Sequence, residues 1–186
     1  VLDGFCRARG FAVPEGAVIM DPAQLPALAG RLGFPLMLKG IFYEAYQANT
    51  LEEANVFFHK VRARWGLPII VQQHIPGEEY DVVSLGDRAG KAVGAVAMRK
   101  LRLTEKGKAW AGVTMRDPVL LDLARDILEA LQWTGPIELE FLKSSVTRKY
   151  HLIEINPRFP SWVYLTSRCG QNLPRGPYAA CGGPAP

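Results

Sequence analysis

LIEINPR, Leu152 to Arg158, is the stretch on which the reading of this chain turns, and a second acid, Glu140, stands fourteen residues before its Glu154 in GPIELEFL, Gly135 to Leu142. Both segments read as strands, apolar except at selected positions. If they pair, Glu140, Glu154 and Asn156 converge on one side of a sheet. Two carboxylates and a carboxamide form an all-oxygen donor set, which suits a hard divalent cation such as Mg2+. Arg158 lies just past the strand end, where a planar cation can hold a phosphate or a carboxylate. The same spacing also describes two solvent-facing acids on a strand that ends at Pro157, and spacing alone leaves both readings open.

With 186 residues the chain is long enough for one substantial core or two small lobes. Its 48% hydrophobic and 22% charged residues are ordinary for a globular protein. No apolar run approaches the roughly 20 residues that span a bilayer, and the start lacks the basic-then-apolar order of a secretion signal. Opening without Met on VLDGFCRARG, the chain is expected to be a fragment. Cys6, Cys169 and Cys181 are odd in number and form no CxxC pair, so a reduced cytoplasm is the expected home.

The net charge of +4 is concentrated: Arg99, Lys100, Arg102, Lys106 and Lys108, less Glu105, account for all of it. A surface for nucleic acid would carry a broader excess with aromatics interleaved. One compact patch fits a polyphosphate ligand, or a solvated hairpin tip. No GxxxxGK[ST] loop is present, and no nucleophile–base pair is evident: Ser161 lacks a G-x-S-x-G elbow, and His59, His74 and His151 lack metal-like spacing.

Along the chain, residues 2–9 read as the end of a helix closed by Gly10, and residues 11–20 as extended. Asp21-Pro22 caps a helix that Gly33 ends. LMLK is a short buried strand ending at Lys39. Thr50 and Glu53 form a capping box for a helix to about Trp65. Strands follow over residues 69–73, 80–85 and 91–98, the last two joined by a turn over residues 86–90. A helix from Asp117-Pro118 to about Trp133 precedes the two acid-bearing strands.

EINPR following an E-x-F-L strand resembles the metal-binding end of the ATP-grasp superfamily, which includes biotin carboxylases, D-alanine–D-alanine ligases and the large subunit of carbamoyl-phosphate synthase. Three further segments match in order: FPLMLKG around Lys39, VQQHIPGEEY from Val71 to Tyr80, and the basic stretch near Arg99. Together they span roughly residues 1–174. The resemblance implies that Lys39 holds the α- and β-phosphates, and that Gln72, Gln73, His74 and Ile75 line the adenine through their backbone. It implies that Glu79 grips the ribose hydroxyls, that Arg99 and Lys100, with Lys108 a weaker candidate, face the terminal phosphate, and that Glu140, Glu154 and Asn156 hold Mg2+. Arg158 would steady the activated acid. Read without it, Lys39 is a strand-end lysine reaching solvent, and Glu78 and Glu79 are exposed turn acids.

Two features depart from the family pattern. The Gly-rich loop that folds over the phosphates is replaced by a shorter aromatic stretch, residues 40–46, expected to be a compact lid in which Tyr43 and Tyr46 pack. Relatives also carry an amino-terminal domain ahead of this region, which the chain is expected to lack. Trp162 and Tyr164 either line the substrate pocket or pack in the core.

The expected fold is therefore α+β, an ATP-grasp fold of two α+β lobes with the nucleotide cleft between them. Residues 1–11 end a preceding helix, residues 12–72 form the small lobe, residues 73–174 the large lobe, and residues 175–186 a disordered or foreign tail. The implied function is an ATP- and Mg2+-dependent ligase joining a small carboxylic acid, activated as an acyl phosphate, to an amine-type or thiol acceptor. The alternative is a non-catalytic nucleotide-binding or regulatory module. Neither nucleic acid nor membrane is an expected partner, and a homodimer is compatible with the pattern.

Overall fold

The computed structural model describes residues 2–40, 44–104 and 109–176. Contacts divide the chain into two compact units, Pro14–Pro76 and Val1–Val13 with Gly77–Pro186.

In the first unit, four antiparallel strands run in the order β1 (Gly16–Ile19), β4 (Ile69–Gln73), β2 (Leu36–Lys39), β3 (Ala45–Ala48). Two helices pack on them, α2 (Leu25–Leu32) and α3 (Leu51–Trp65). The strands alternate, so Leu36, Leu38, Ile69 and Val71 point inward and meet Leu25, Phe58 and Val61, all fully buried. The Asp21 carboxylate accepts from the Ala23 amide and starts a 3-10 turn, Pro22–Gln24, with α2 proper following. Gly33, at φ 73°, closes that helix in a conformation that other residues adopt only with strain.

At the start of α3, Thr50 Oγ1 accepts from the Glu53 amide at 3.1 Å. The return bond of the expected capping box falls one residue earlier: Glu53 Oε2 accepts from the Asn49 amide at 2.7 Å. From Ala45 the aromatic stretch is not a loop but strand β3, paired with β2, and Tyr46 stacks on Phe57 with ring centroids 5.0 Å apart. Residues 41–43, and with them Tyr43, lie outside the described residues.

The second unit is built on five antiparallel strands in the order β7 (Ala109–Met115), β6 (Ala92–Leu103), β5 (Gly77–Gly86), β8 (Gly135–Ser144), β9 (Tyr150–Asn156). One face is apolar. Tyr80, Val82, Ile137, Leu139 and Phe141 pack there against Leu120, Ala124, Ile127 and Leu128 of α4 (Pro118–Leu131) and against Cys6 of α1 (Leu2–Ala8). Asp117 caps α4, accepting from the Leu120 amide, and its other oxygen accepts from the Tyr150 hydroxyl at 2.6 Å, which ties the helix start to β9. Gly77 begins β5 where a Cβ would run into the Lys143 carbonyl, so the sharp Pro-Gly entry into this strand needs glycine. The basic stretch forms the β6–β7 hairpin; residues 105–108, including Lys106 and Lys108, lie outside the described residues, as do residues 177–186 of the tail. Among the described residues no helix is long and apolar enough to cross a membrane.

Candidate functional site

The face of the five-stranded sheet opposite α4 carries the acids. Register sets this directly: Asp81 of β5 lies opposite Glu140 of β8, and Glu140 lies opposite Glu154 of β9. Glu138 lies opposite Asn156, two residues along the same face. Since side chains alternate, Glu79, Asp81, Glu138, Glu140, Glu154 and Asn156 all project to one side, and Lys100 of β6 projects there with them.

The Lys100 ammonium sits within this group, its side chain only 3% exposed. Nζ lies 2.7 Å from Glu140 Oε2, 3.1 Å from Glu79 Oε2 and 3.1 Å from Asp81 Oδ1. The contact with Asp81 is close enough for an ion pair but not aligned for a hydrogen bond, so Asp81 Oδ1 has no donor among the described residues. Asn156 Nδ2 donates to Glu140 Oε1 at 2.9 Å. On the neighbouring row, Glu138 accepts from Arg158 Nη1 at 2.8 Å and from Trp162 Nε1 at 3.2 Å.

The electrostatics follow from burial and charge count. Asp81 is 3% exposed; burial, reinforced by Glu140 and Glu138, outweighs Lys100 and pushes its carboxyl up to about 7. Burial alone would lower the Lys100 ammonium, but Asp81 and Glu140 lift it above the ordinary lysine range. Burial, then Glu140, raises Glu138 against the pull of Arg158 and Trp162. Three carboxylates around one ammonium leave, when all are ionised, an excess of two negative charges. That excess is what a divalent cation would neutralise.

Among the described residues no three acid, histidine or cysteine side chains stand ready as a metal array. The donors nevertheless suit Mg2+ in kind, since Glu140, Glu154 and Asn156 offer oxygen ligands on adjacent strands beside uncompensated negative charge. Asn156 would ligate through its oxygen, which requires its carboxamide to turn over from its present bond to Glu140.

The other expected site residues are distributed as follows. Lys39 ends β2, half-buried, in the unit formed by Pro14–Pro76. Gln72 and Gln73 end β4 in that unit, and His74 and Ile75 follow. The Gln73 amide donates to the Glu15 carbonyl at 2.8 Å and the His74 amide to the Pro35 carbonyl at 3.1 Å, so both are engaged inside this unit. Glu79 joins the Lys100 group. Arg99 does not: it pairs with Tyr80 across β5 and β6, which puts it on the α4 side, 3.4 Å from Glu78. The structure thus places Lys100, Glu79, Glu140, Glu154, Asn156 and Arg158 on one face, and Arg99 on the other. Sequence reading passed over Asp81 and Glu138, and left Trp162 between substrate pocket and core. The only signals were a single acid inside the apolar run of β5 and the alternation of Glu138 with Glu140.

The family model described as "ATP-grasp in the biosynthetic pathway with Ter operon" matches residues 67–182. The chain belongs to the ATP-grasp family. No curated protein matches it in sequence. Among solved structures, a biotin carboxylase–β-γ-ATP complex from Campylobacter jejuni superposes with a TM-score of 0.77 at 14% identity, over 92% of this chain and 43% of that one. The biotin carboxylase domain of 2-oxoglutarate carboxylase from Hydrogenobacter thermophilus, in complex with MgADP, ADP and bicarbonate, gives 0.74 at 13% identity, over 86% and 39%. The D-alanine–D-alanine ligase of Bacillus anthracis gives 0.65 at 16% identity, over 83% and 54%. At such identities the likeness establishes the ATP-grasp fold, and the chain spans about two fifths of the two carboxylase chains.

Proposed function

We propose that this chain is the nucleotide- and metal-binding part of an ATP- and Mg2+-dependent ligase that activates a small carboxylic acid as an acyl phosphate for attack by an amine-type or thiol nucleophile. The observation that supports it most is the single face on which Lys100, Glu140, Glu154 and Asn156 gather, with Lys100 Nζ 2.7 Å from Glu140. Phosphoryl transfer from ATP needs little covalent chemistry from a protein; it needs positioned charge.

Mg2+, when bound by Glu140, Glu154 and Asn156, would supply neutralising charge to the phosphates. Lys100 is the cation nearest those acids and turns from them to the terminal phosphate. Until then Glu79 and Asp81 hold its ammonium alongside Glu140. Lys39 is the residue assigned to the α- and β-phosphates. With the Gln73 and His74 amides already engaged, adenine contacts from this segment fall to the Ile75 amide and to backbone carbonyls. Arg158, at the end of β9, meets the carboxylate or its phosphorylated form.

In the full-length protein, Glu154→Ala is expected to abolish Mg2+-dependent ATP turnover while the melting temperature stays near wild type. Unchanged turnover rules the assignment out. A second reading, a nucleotide-binding module without catalysis, draws support from Lys100 already filling the space among the acids. Calorimetric titration with ATP, with and without Mg2+, followed by phosphate release on adding candidate acids and amines, separates the two.

A further inference from the structure

Glu138 is 4% exposed, yet it is a carboxylate. Burying an ionised carboxyl costs several kcal/mol unless donors satisfy it, and an apolar residue would fill the same space without that cost. Its two oxygens have two separate donors, Arg158 Nη1 at 2.8 Å and Trp162 Nε1 at 3.2 Å. Both come from the segment that leaves β9. The Arg158 amide bonds back to the Asn156 carbonyl at 2.8 Å, so the chain makes a tight turn at Pro157, one residue past the position opposite Glu138. Trp162 then packs beside Val83, Leu85, Val96 and Leu173, which anchors the far end of the segment.

Arg158 is held but not covered. A guanidinium presents five N–H donors in a planar fork. The contact with Glu138 uses one terminal nitrogen, and the side chain is 55% exposed. Its remaining edge lies in solvent, on the same face as Lys100 and Glu140. An untethered surface arginine would lose its rotamer freedom on meeting a ligand; one already fixed at Nη1 loses less.

We propose that Glu138 is a positioning residue which, with Trp162 as second anchor, holds the Arg158 guanidinium so that its open edge receives the anionic group of the acid substrate, a carboxylate or its phosphorylated form. The assignment of that anion to an acid substrate rests on the ligase reading above. The clamp itself rests on Glu138, Arg158 and Trp162.

Inorganic phosphate serves as the probe, titrated into 15N-labelled full-length protein while the Trp162 indole N–H resonance is followed; its loss in Trp162→Phe identifies it. Phosphate is expected to move this resonance with a saturable curve. Glu138→Gln is expected to shift the resonance in the unliganded protein and to weaken phosphate roughly tenfold, the scale of one charge-assisted bond. Arg158→Ala should weaken phosphate at least as much as Glu138→Gln does, and Glu138→Gln added to Arg158→Ala should weaken the residual binding no further. MgATP affinity, measured by calorimetry on the same variants, should change much less than phosphate affinity. The proposal is overturned by wild-type phosphate affinity in Glu138→Gln, by independent losses that multiply in the double variant, by equal loss of MgATP affinity, or by no saturable response in the wild type. Should Glu138→Gln fail to fold, Trp162→Phe carries the test, its phosphate affinity read by calorimetry in place of the lost resonance, with a weakening of about threefold expected and none overturning the clamp. If wild-type protein binds phosphate as described but not MgATP, the ligase reading falls and the clamp stands.

Discussion

At the scale of single residues, the Lys100 ammonium acts as the internal counter-ion of the acid face. Its side chain is 3% exposed and its three carboxylate partners come from two different strands, so removing it strands negative charge in a poorly solvated place. Lys100→Met is expected to lower stability by about 3–5 kcal/mol, read as a fall in the urea midpoint at neutral pH. Because the deficit is charge, millimolar Mg2+ should raise the midpoint of Lys100→Met more than that of the wild type. A midpoint equal to wild type, or one that Mg2+ does not move, would show that Lys100 does not hold the acids together.

At the scale of elements, β8 and β9 were legible in sequence and their neighbours were less so. Gly135 and Pro157 bracket two apolar runs whose acids interrupt them at set positions, and such punctuation survives into the structure as paired strands. Strand β3 was hidden because Ala45, Tyr46, Gln47 and Ala48 show no apolar alternation long enough to distinguish from a loop. Strand β7 was hidden because, on the sheet edge, it is largely exposed. Glu138 and Asp81 were hidden for another reason: a buried acid and a solvent-facing acid look alike in a strand until register brings Arg158 or Lys100 across to it. The same logic explains how the helices are fastened. Asp117 caps α4 and also accepts from Tyr150, so Asp117→Ala should cost about 2 kcal/mol against about 1 kcal/mol for Tyr150→Phe, by chemical denaturation. β9 is further stitched to the chain after α1 by the Leu152 amide on the Ala12 carbonyl at 2.8 Å. Next to this bond, burial depresses the pKa of His151. A base with a depressed folded pKa leaves the unfolded chain binding the proton first, so stability is present above the unfolded value of about 6.5 and is lost as pH falls below it. His151→Leu should flatten that acid limb in a pH series of urea midpoints; an unchanged slope would place the titration elsewhere.

At the scale of the whole molecule, the two compact units each own a core: Phe58, Leu36, Leu38 and Val71 in one, Phe141, Leu139, Ile127 and Leu120 in the other. Neither cluster shares a buried residue with the other. Loss of packing in one should therefore be felt first within that unit. Phe58→Ala and Phe141→Ala each remove a fully buried ring, and each is expected to cost about 3–5 kcal/mol. Native-state hydrogen exchange distinguishes where the cost falls. Phe58→Ala should speed exchange of amides in β2 and β4 while those of β5 and β8 keep their protection, and Phe141→Ala should do the reverse. If instead either substitution lowers protection equally in all four strands, the units unfold as one cooperative body, and a substitution in either core would then disturb the acid face as well.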